Sequence, residues 1–203
     1  METDLQEIKI FTKNFFSYGD VDYSNRTSEL IDKCKKLEQI VNVISKKDVL
    51  QYLDNLHKLK LATEQDVANV LLSQWTRLER FHNVGMSKSK LIKFMNMADK
   101  SCGYGAVSNK IPKVVTIYRG TSVETCKGLS WTRNREVAEW FAKRFIDEKE
   151  CGYVFSGQLK REDIIASFSG RNESEIVCDW KNVKDIQCEK VIKTGQEVYK
   201  FRK

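Results

Sequence analysis

Two regimes of hydrophobic spacing divide the chain. In the first half apolar residues recur every three or four positions, the spacing of one face of an α-helix. Leu30, Cys34, Leu37, Val41 and Ile44 form one such series after Thr27 and predict a single amphipathic helix. Val49, Leu53, Leu56 and Leu59 form the next, preceded by Ser45 and Asp48 at capping-box spacing with Asp in place of Glu. Thr63 and Asp66 repeat that arrangement ahead of Val67, Val70, Leu71, Trp75 and Leu78. A further helix is predicted after Ser87, with Leu91, Phe94, Met95 and Ala98 inward. The opening stretch holds Phe11, Phe15, Phe16, Tyr18 and Tyr23, aromatics suited to covering a core, in a pattern that commits to no element.

The period changes at "SCGYGAVSNKIP", where two glycines and the sole proline, Pro112, mark a connection. Short β-type runs follow: "KVVTIYR", "GLSWT", "GYVFSGQL", "DIIASF", "SEIVCDW", "KDIQCEKVI" and "EVYKFR". One helix interrupts them over about 134–148, with Val137, Phe141 and Phe145 on one side and Thr132 or Asn134 as its cap. The expected fold is α+β: an N-terminal helical bundle over 1–105, then a compact, mostly antiparallel β-sheet unit with one helix over 106–203.

Composition narrows the setting. A chain of 203 residues, 41% hydrophobic, can bury a core. Its formal net charge of +7 favours an anionic partner such as a nucleotide, a nucleic acid or an acidic protein. The lysines are scattered rather than gathered in a run, so nucleic acid is not the favoured choice. Six cysteines, at 34, 102, 126, 151, 178 and 188, form no C-x-x-C pair, and the histidines are His57 and His82 alone. No metal site is expected from that set. Cys178 and Cys188 alternate with apolar residues and read as small core hydrophobes. Both histidines lie in helical amphipathic stretches and read as solvated or core-edge residues rather than catalytic bases. With no apolar run of signal-peptide or membrane-span length, the expectation is a cytoplasmic protein with reduced thiols and no membrane partner.

The candidate chemistry lies in "TIYRGTSVETCKGLSWTRNREVAEWFA", 116–142, and in "SGRNESEIVCDW" further on. Arg119 ends a strand, Ser130 and Thr132 share a face of the next, and Glu173 and Glu175 stand two apart where a later strand opens. Strand alternation would point both acids to one face, where they repel unless solvated or paired with a cation or ligand. Taken alone, the pair also fits an exposed strand start.

In this order, aromatic-Arg-Gly, Ser-x-Thr, a helix with "AEWFA" and Glu-x-Glu, the motifs resemble the Arg-Ser-Glu class of mono-ADP-ribosyltransferases. The resemblance covers Val114 to about Val177 and none of the helical half. It implies NAD as a substrate, with no metal, and a protein acceptor. It also implies roles: Arg119 anchors phosphate oxygens or orders the pocket, and Gly120 lets nicotinamide approach the backbone. Ser130 orients Glu175, and Thr132 buttresses the same strand. Glu175 binds the ribose and stabilises charge at its anomeric carbon, and Glu173 serves the accepting nucleophile. The resemblance further implies an arginine acceptor from the first Glu of Glu-x-Glu. Phe168 would meet the acceptor, although it equally ends the "IIASF" strand as a core residue, and Phe141 would stack on nicotinamide, although its spacing suits core packing. Trp131 is expected to face away from Ser130 and Thr132, toward the helical half. The setting implied is a bacterial toxin, an effector or a phage-encoded modifier.

Two features depart from the family's pattern. The triplet is Ser-Trp-Thr rather than Ser-Thr-Ser, and only eleven positions separate Arg119 from Ser130. The second leaves no room there for a helical segment over the cofactor. An open cleft would admit water, so an NAD glycohydrolase is one alternative. A catalytically inactive module that binds a protein or nucleic acid is another.

Overall fold

The computed structural model describes residues 3–16, 21–78, 85–101, 103–144, 146–147, 150–170 and 173–192. The strand expected at 197–202, Tyr18, His82, Cys102 and Phe145 lie outside them, as do the side chains of Phe16 and Tyr23. Among the described residues the fold is α+β, with seven α-helices and a six-stranded antiparallel sheet. It divides into two compact units, 1–99 and 100–203, so that the segment 100–105 belongs with the sheet. No helix is long and apolar enough to cross a membrane among the described residues.

The first unit carries α1 (Leu5–Phe16), α2 (Val21–Lys33), α3 (Leu37–Val43), α4 (Val49–Lys58), α5 (Glu64–Gln74) and α6 (Lys88–Met97). The apolar series on α5 and α6 bury as their spacing predicts, from Val67 to Leu78 and from Leu91 to Ala98. Their caps also form: Thr63 accepts the Asp66 N–H, and Ser87 accepts the Lys90 N–H.

Three expectations about this unit fail. The single helix expected from Leu30 to Ile44 is two helices, and Leu30 is exposed while Ile31 takes the buried place. Ser45 does not cap α4; the N-cap is Asp48, with no side-chain bond. Leu59 is exposed because α4 has ended there. Lys60 adopts φ 59°, and the N–H groups of Leu61 and Lys60 close on the carbonyls of Leu56 and His57. This is a Schellman end in which a lysine takes the left-handed position that glycine usually holds.

Asp54 is buried inside this unit with Lys58 and Lys90, each 2.6 Å from its carboxylate. Burial works against the charged form, but the two lysine hydrogen bonds outweigh it and hold the Asp54 pKa below the usual carboxylate value. A depressed carboxyl pKa contributes stability that is present above the unfolded value, about 4, and is lost as pH falls through the folded one. Lys90→Met is therefore expected to cost about 1.5–2 kcal/mol at pH 7. Urea titrations should find the gap between variant and wild type closing below about pH 4.

The second unit contains β1 (Val114–Thr121), β2 (Ser130–Thr132), α7 (Arg135–Lys143), β3 (Cys151–Lys160), β4 (Ile164–Phe168), β5 (Glu175–Cys178) and β6 (Lys184–Ile192). The strand order is β4-β5-β2-β1-β3-β6. One face of the sheet carries a core that includes Ile117, Trp131, Phe155, Leu159, Ile176 and Cys178. Trp131 thus packs within the sheet unit's own core, and its indole N–H donates to the Gly128 carbonyl. The expected packing of Trp131 toward the helical half is replaced by this. Cys178 is buried as expected, whereas Cys188 is exposed because all but one residue of β6 are exposed.

The opposite face carries α7, capped by Asn134, whose side chain accepts the Glu136 N–H. The helix lies close to the sheet because alanines meet glycines. A Cβ on Gly120 would fall 1.7 Å from the Ala138 carbonyl oxygen, and one on Gly152 would fall 2.1 Å from that of Ala142.

Candidate functional site

Register decides which side chains share a face. Tyr118 pairs with Thr132, Thr132 with Glu175, and Glu175 with Phe168. Residues directly opposite one another point to the same side of a sheet. Tyr118, Ser130, Thr132, Glu175 and Phe168 therefore point to the face that carries α7. Trp131 and Ile176 point to the other, and Arg119, in phase with the buried Val115 and Ile117, leaves its strand on that side.

Ser130 connects the two sides. Its hydroxyl donates to Oε1 of Glu175 at 2.6 Å, bridging 45 positions of sequence. Its backbone carbonyl accepts from Nη1 of Arg119, also at 2.6 Å. Arg119 thus holds the strand that carries the serine, and the serine holds the acid.

The guanidinium of Arg119 lies against Gly128: a Cβ there would fall 2.1 Å from the guanidinium carbon, so a side chain at 128 would have to push aside the end of Arg119. Burial lowers the Arg119 pKa from its ordinary value, partly offset by the nearby Cys126 and Cys178. The guanidinium nevertheless stays charged at any physiological pH. Its Nε is buried with no hydrogen-bond partner among the described residues. Burial first, then Asp179, pushes the Cys178 thiol up to about 12, so this sulfur is a packed thiol at neutral pH and not a nucleophile.

Glu173 is brought near by a different device. The Thr132 hydroxyl donates to the Glu173 carbonyl and itself accepts the Asn134 N–H at 3.0 Å. The Arg133 N–H donates to the Ser174 carbonyl at 3.1 Å. The end of β2 and the cap of α7 thus grip the corner between the acids. Ser174 has φ 45°, and β5 begins only at Glu175. Simple alternation from Glu173 to Glu175 does not hold, because a left-handed residue stands between them.

The remaining expected residues lie as follows. Gly120 turns its missing side chain to α7, and what its smallness accommodates is the helix backbone. Phe141 is half-buried on α7, its ring edge-on to Trp140 at 4.7 Å. Phe168 is buried, 5% exposed, with its ring 5.2 Å from that of Tyr104. His57, in the other unit, is a core-edge residue, edge-on to Phe94 and 3.1 Å from Glu64. Among the described residues, no group of three or more His, Cys, Asp or Glu is arranged to hold a metal ion.

Two residues of the site region escaped sequence reading. Gly128 looked like the plain start of a strand, and Tyr104 like part of a connection. The glycines flanking Tyr104 in "CGYGA" were the one available signal for the latter. Comparison of the chain with family models, with curated proteins and with solved structures finds no match.

Proposed function

We propose that the sheet unit is an NAD-dependent mono-ADP-ribosyltransferase fold whose site is built on Ser130, Glu175 and Glu173, and that its acceptor is a protein arginine. The observation that carries this reading is the Ser130 hydroxyl on the Glu175 carboxylate, joining two distant motifs in the order in which the resemblance requires them. The charge balance agrees. Residues 1–99 hold fifteen basic and fourteen acidic side chains, whereas 100–203 hold twenty and fourteen, so the excess that suits an anionic dinucleotide belongs to the sheet unit.

The chemistry requires one bond to break and one to form. The bond from the nicotinamide nitrogen to the anomeric carbon of ribose breaks, and its electron pair leaves with nicotinamide, which becomes neutral. Positive charge develops on the ribose, where the Glu175 carboxylate stabilises it. Fixing that carboxylate in advance through Ser130 spares its reorganisation in the transition state. The acceptor nitrogen then bonds to the anomeric carbon and gives up a proton, for which Glu173 is the base. Arg119 contributes by ordering β2 through the Ser130 carbonyl.

Incubation with NAD labelled in its adenylate portion, with and without a cell lysate, tests this. Expected are free nicotinamide and label on protein. Nicotinamide without labelled protein would make the chain a glycohydrolase, and label removed by nuclease would mean a nucleic acid acceptor. Neither product, with no thermal shift by NAD, would leave a binding module without catalysis. Ser130→Ala is expected to lower nicotinamide release by about tenfold, the effect of one hydrogen bond to a charged group. Release at the wild-type rate would remove Ser130 from the site.

A further inference from the structure

Ser174 holds φ 45°, a left-handed conformation that crowds its Cβ against the following carbonyl. Among the described residues, the other non-glycine residues with positive φ are Lys60 and Asp185. Lys60 closes α4, and Asp185 lies where the pairing of β6 with β3 shifts register, so local backbone geometry accounts for both. Ser174 instead stands between the two acids of the candidate site. A strained residue persists only where its surroundings hold it. Here the Thr132 hydroxyl binds the Glu173 carbonyl, and the Arg133 N–H binds the Ser174 carbonyl at 3.1 Å. On the near side, the Glu173 N–H donates to the Gly170 carbonyl at 3.3 Å.

The two acids are held by different means. Glu175 lies within the sheet, paired with Thr132 of β2 on one side and with Phe168 of β4 on the other. Its carboxylate also accepts the Ser130 hydroxyl. Glu173 precedes β5, and its backbone carbonyl and N–H take part in the bonds at the corner. An extended residue at 174 would continue β5 back to Glu173 and set both acids on one face. The left-handed residue turns the chain there instead. A change of backbone at 174 therefore moves Glu173 and leaves Glu175 in its place.

Resting on the transferase reading above, we infer that Ser174 is a positioning residue: its left-handed backbone sets where Glu173 stands relative to Glu175. It thereby governs transfer to the guanidino acceptor without governing cleavage of the nicotinamide bond. A base acts only from within hydrogen-bond reach of the proton it takes. A displacement of roughly 1 Å is enough to cost about a hundredfold in rate. The serine hydroxyl has no part in this role, which belongs to the main chain.

The test compares Ser174→Asn and Ser174→Val with wild type, using NAD as donor and agmatine as a guanidino acceptor. Asparagine enters the left-handed region readily, whereas β-branched valine is an outlier there. For Ser174→Val, transfer to agmatine is expected to fall by about a hundredfold, with acceptor-free nicotinamide release unchanged. Ser174→Asn should match wild type in both. If Ser174→Val transfers like wild type, the inference is overturned and the transferase reading stands. The same holds if Ser174→Val loses both activities together, since the position is then structural. It holds too if Ser174→Asn loses transfer as valine does, since the serine side chain is then what matters. A wild type that releases nicotinamide but modifies no agmatine overturns the inference, because Glu173 then serves no guanidino acceptor. If wild type does neither, the transferase reading fails and takes this inference with it.

Discussion

Glu175→Gln is expected to lower nicotinamide release by at least about a hundredfold while leaving the fold intact, the scale set by removing one preorganised stabiliser of transition-state charge. Glutamine keeps the size of the side chain and an oxygen that can still accept from the Ser130 hydroxyl. What it removes is the full negative charge facing the developing cation. NAD binding should change much less than turnover, because in the ground state the positive charge lies on the nicotinamide ring and reaches the ribose only as the bond breaks. Single-turnover rates and a parallel binding titration would separate the two. A variant that turns over NAD like wild type would end the assignment of Glu175, and with it the proposed site.

The second large effect is structural. Gly120→Ala is expected to destabilise the sheet unit by about 3 kcal/mol, because the added carbon must displace backbone rather than a pliable side chain. Besides the Ala138 oxygen at 1.7 Å, it would lie 2.7 Å from the Ala138 carbonyl carbon and from the Ala142 nitrogen. The helix α7 would have to lift from β1. Since α7 starts at Arg135, directly after its Asn134 cap, lifting it pulls on the Thr132 hydroxyl that grips the Glu173 corner. Stability by urea denaturation and nicotinamide release should therefore fall together. A change below about 0.5 kcal/mol, the level of an ordinary surface substitution, would show that the helix is not seated on the glycine.

Particular residues show where sequence patterning carries and where it stops. The strands at 114–121, 130–132, 151–160, 164–168, 175–178 and 184–192 all fall on runs of β-type residues, since a half-buried pleated surface selects branched and aromatic side chains locally. The caps at Thr63 and Ser87 were equally legible, because a cap is a contact between residues three apart. The end of α4 was not, because Lys60 takes a left-handed conformation for which no glycine advertises. The break between α2 and α3 was hidden likewise, with neither glycine nor proline between Lys33 and Leu37. At the candidate site the hydroxyl and the acid were visible as residue types in order. The direction of Arg119 was less so. Its phase follows from Val115 and Ile117, but its bond to a backbone carbonyl of the neighbouring strand depends on how β1 and β2 approach.

The sequence by itself determined the helical first half, the strand-rich second half and the identity of the groups available for chemistry, because periodicity and side-chain type are local properties of the chain. Only the tertiary structure decided that Ser130 meets Glu175, that Arg119 acts on the serine's carbonyl, that Gly128 leaves room for it, and that Phe168 is buried with its ring against that of Tyr104. Those facts follow from strand order and register. Which strands become neighbours, and in what alignment, is set by the joint burial of residues far apart in the chain.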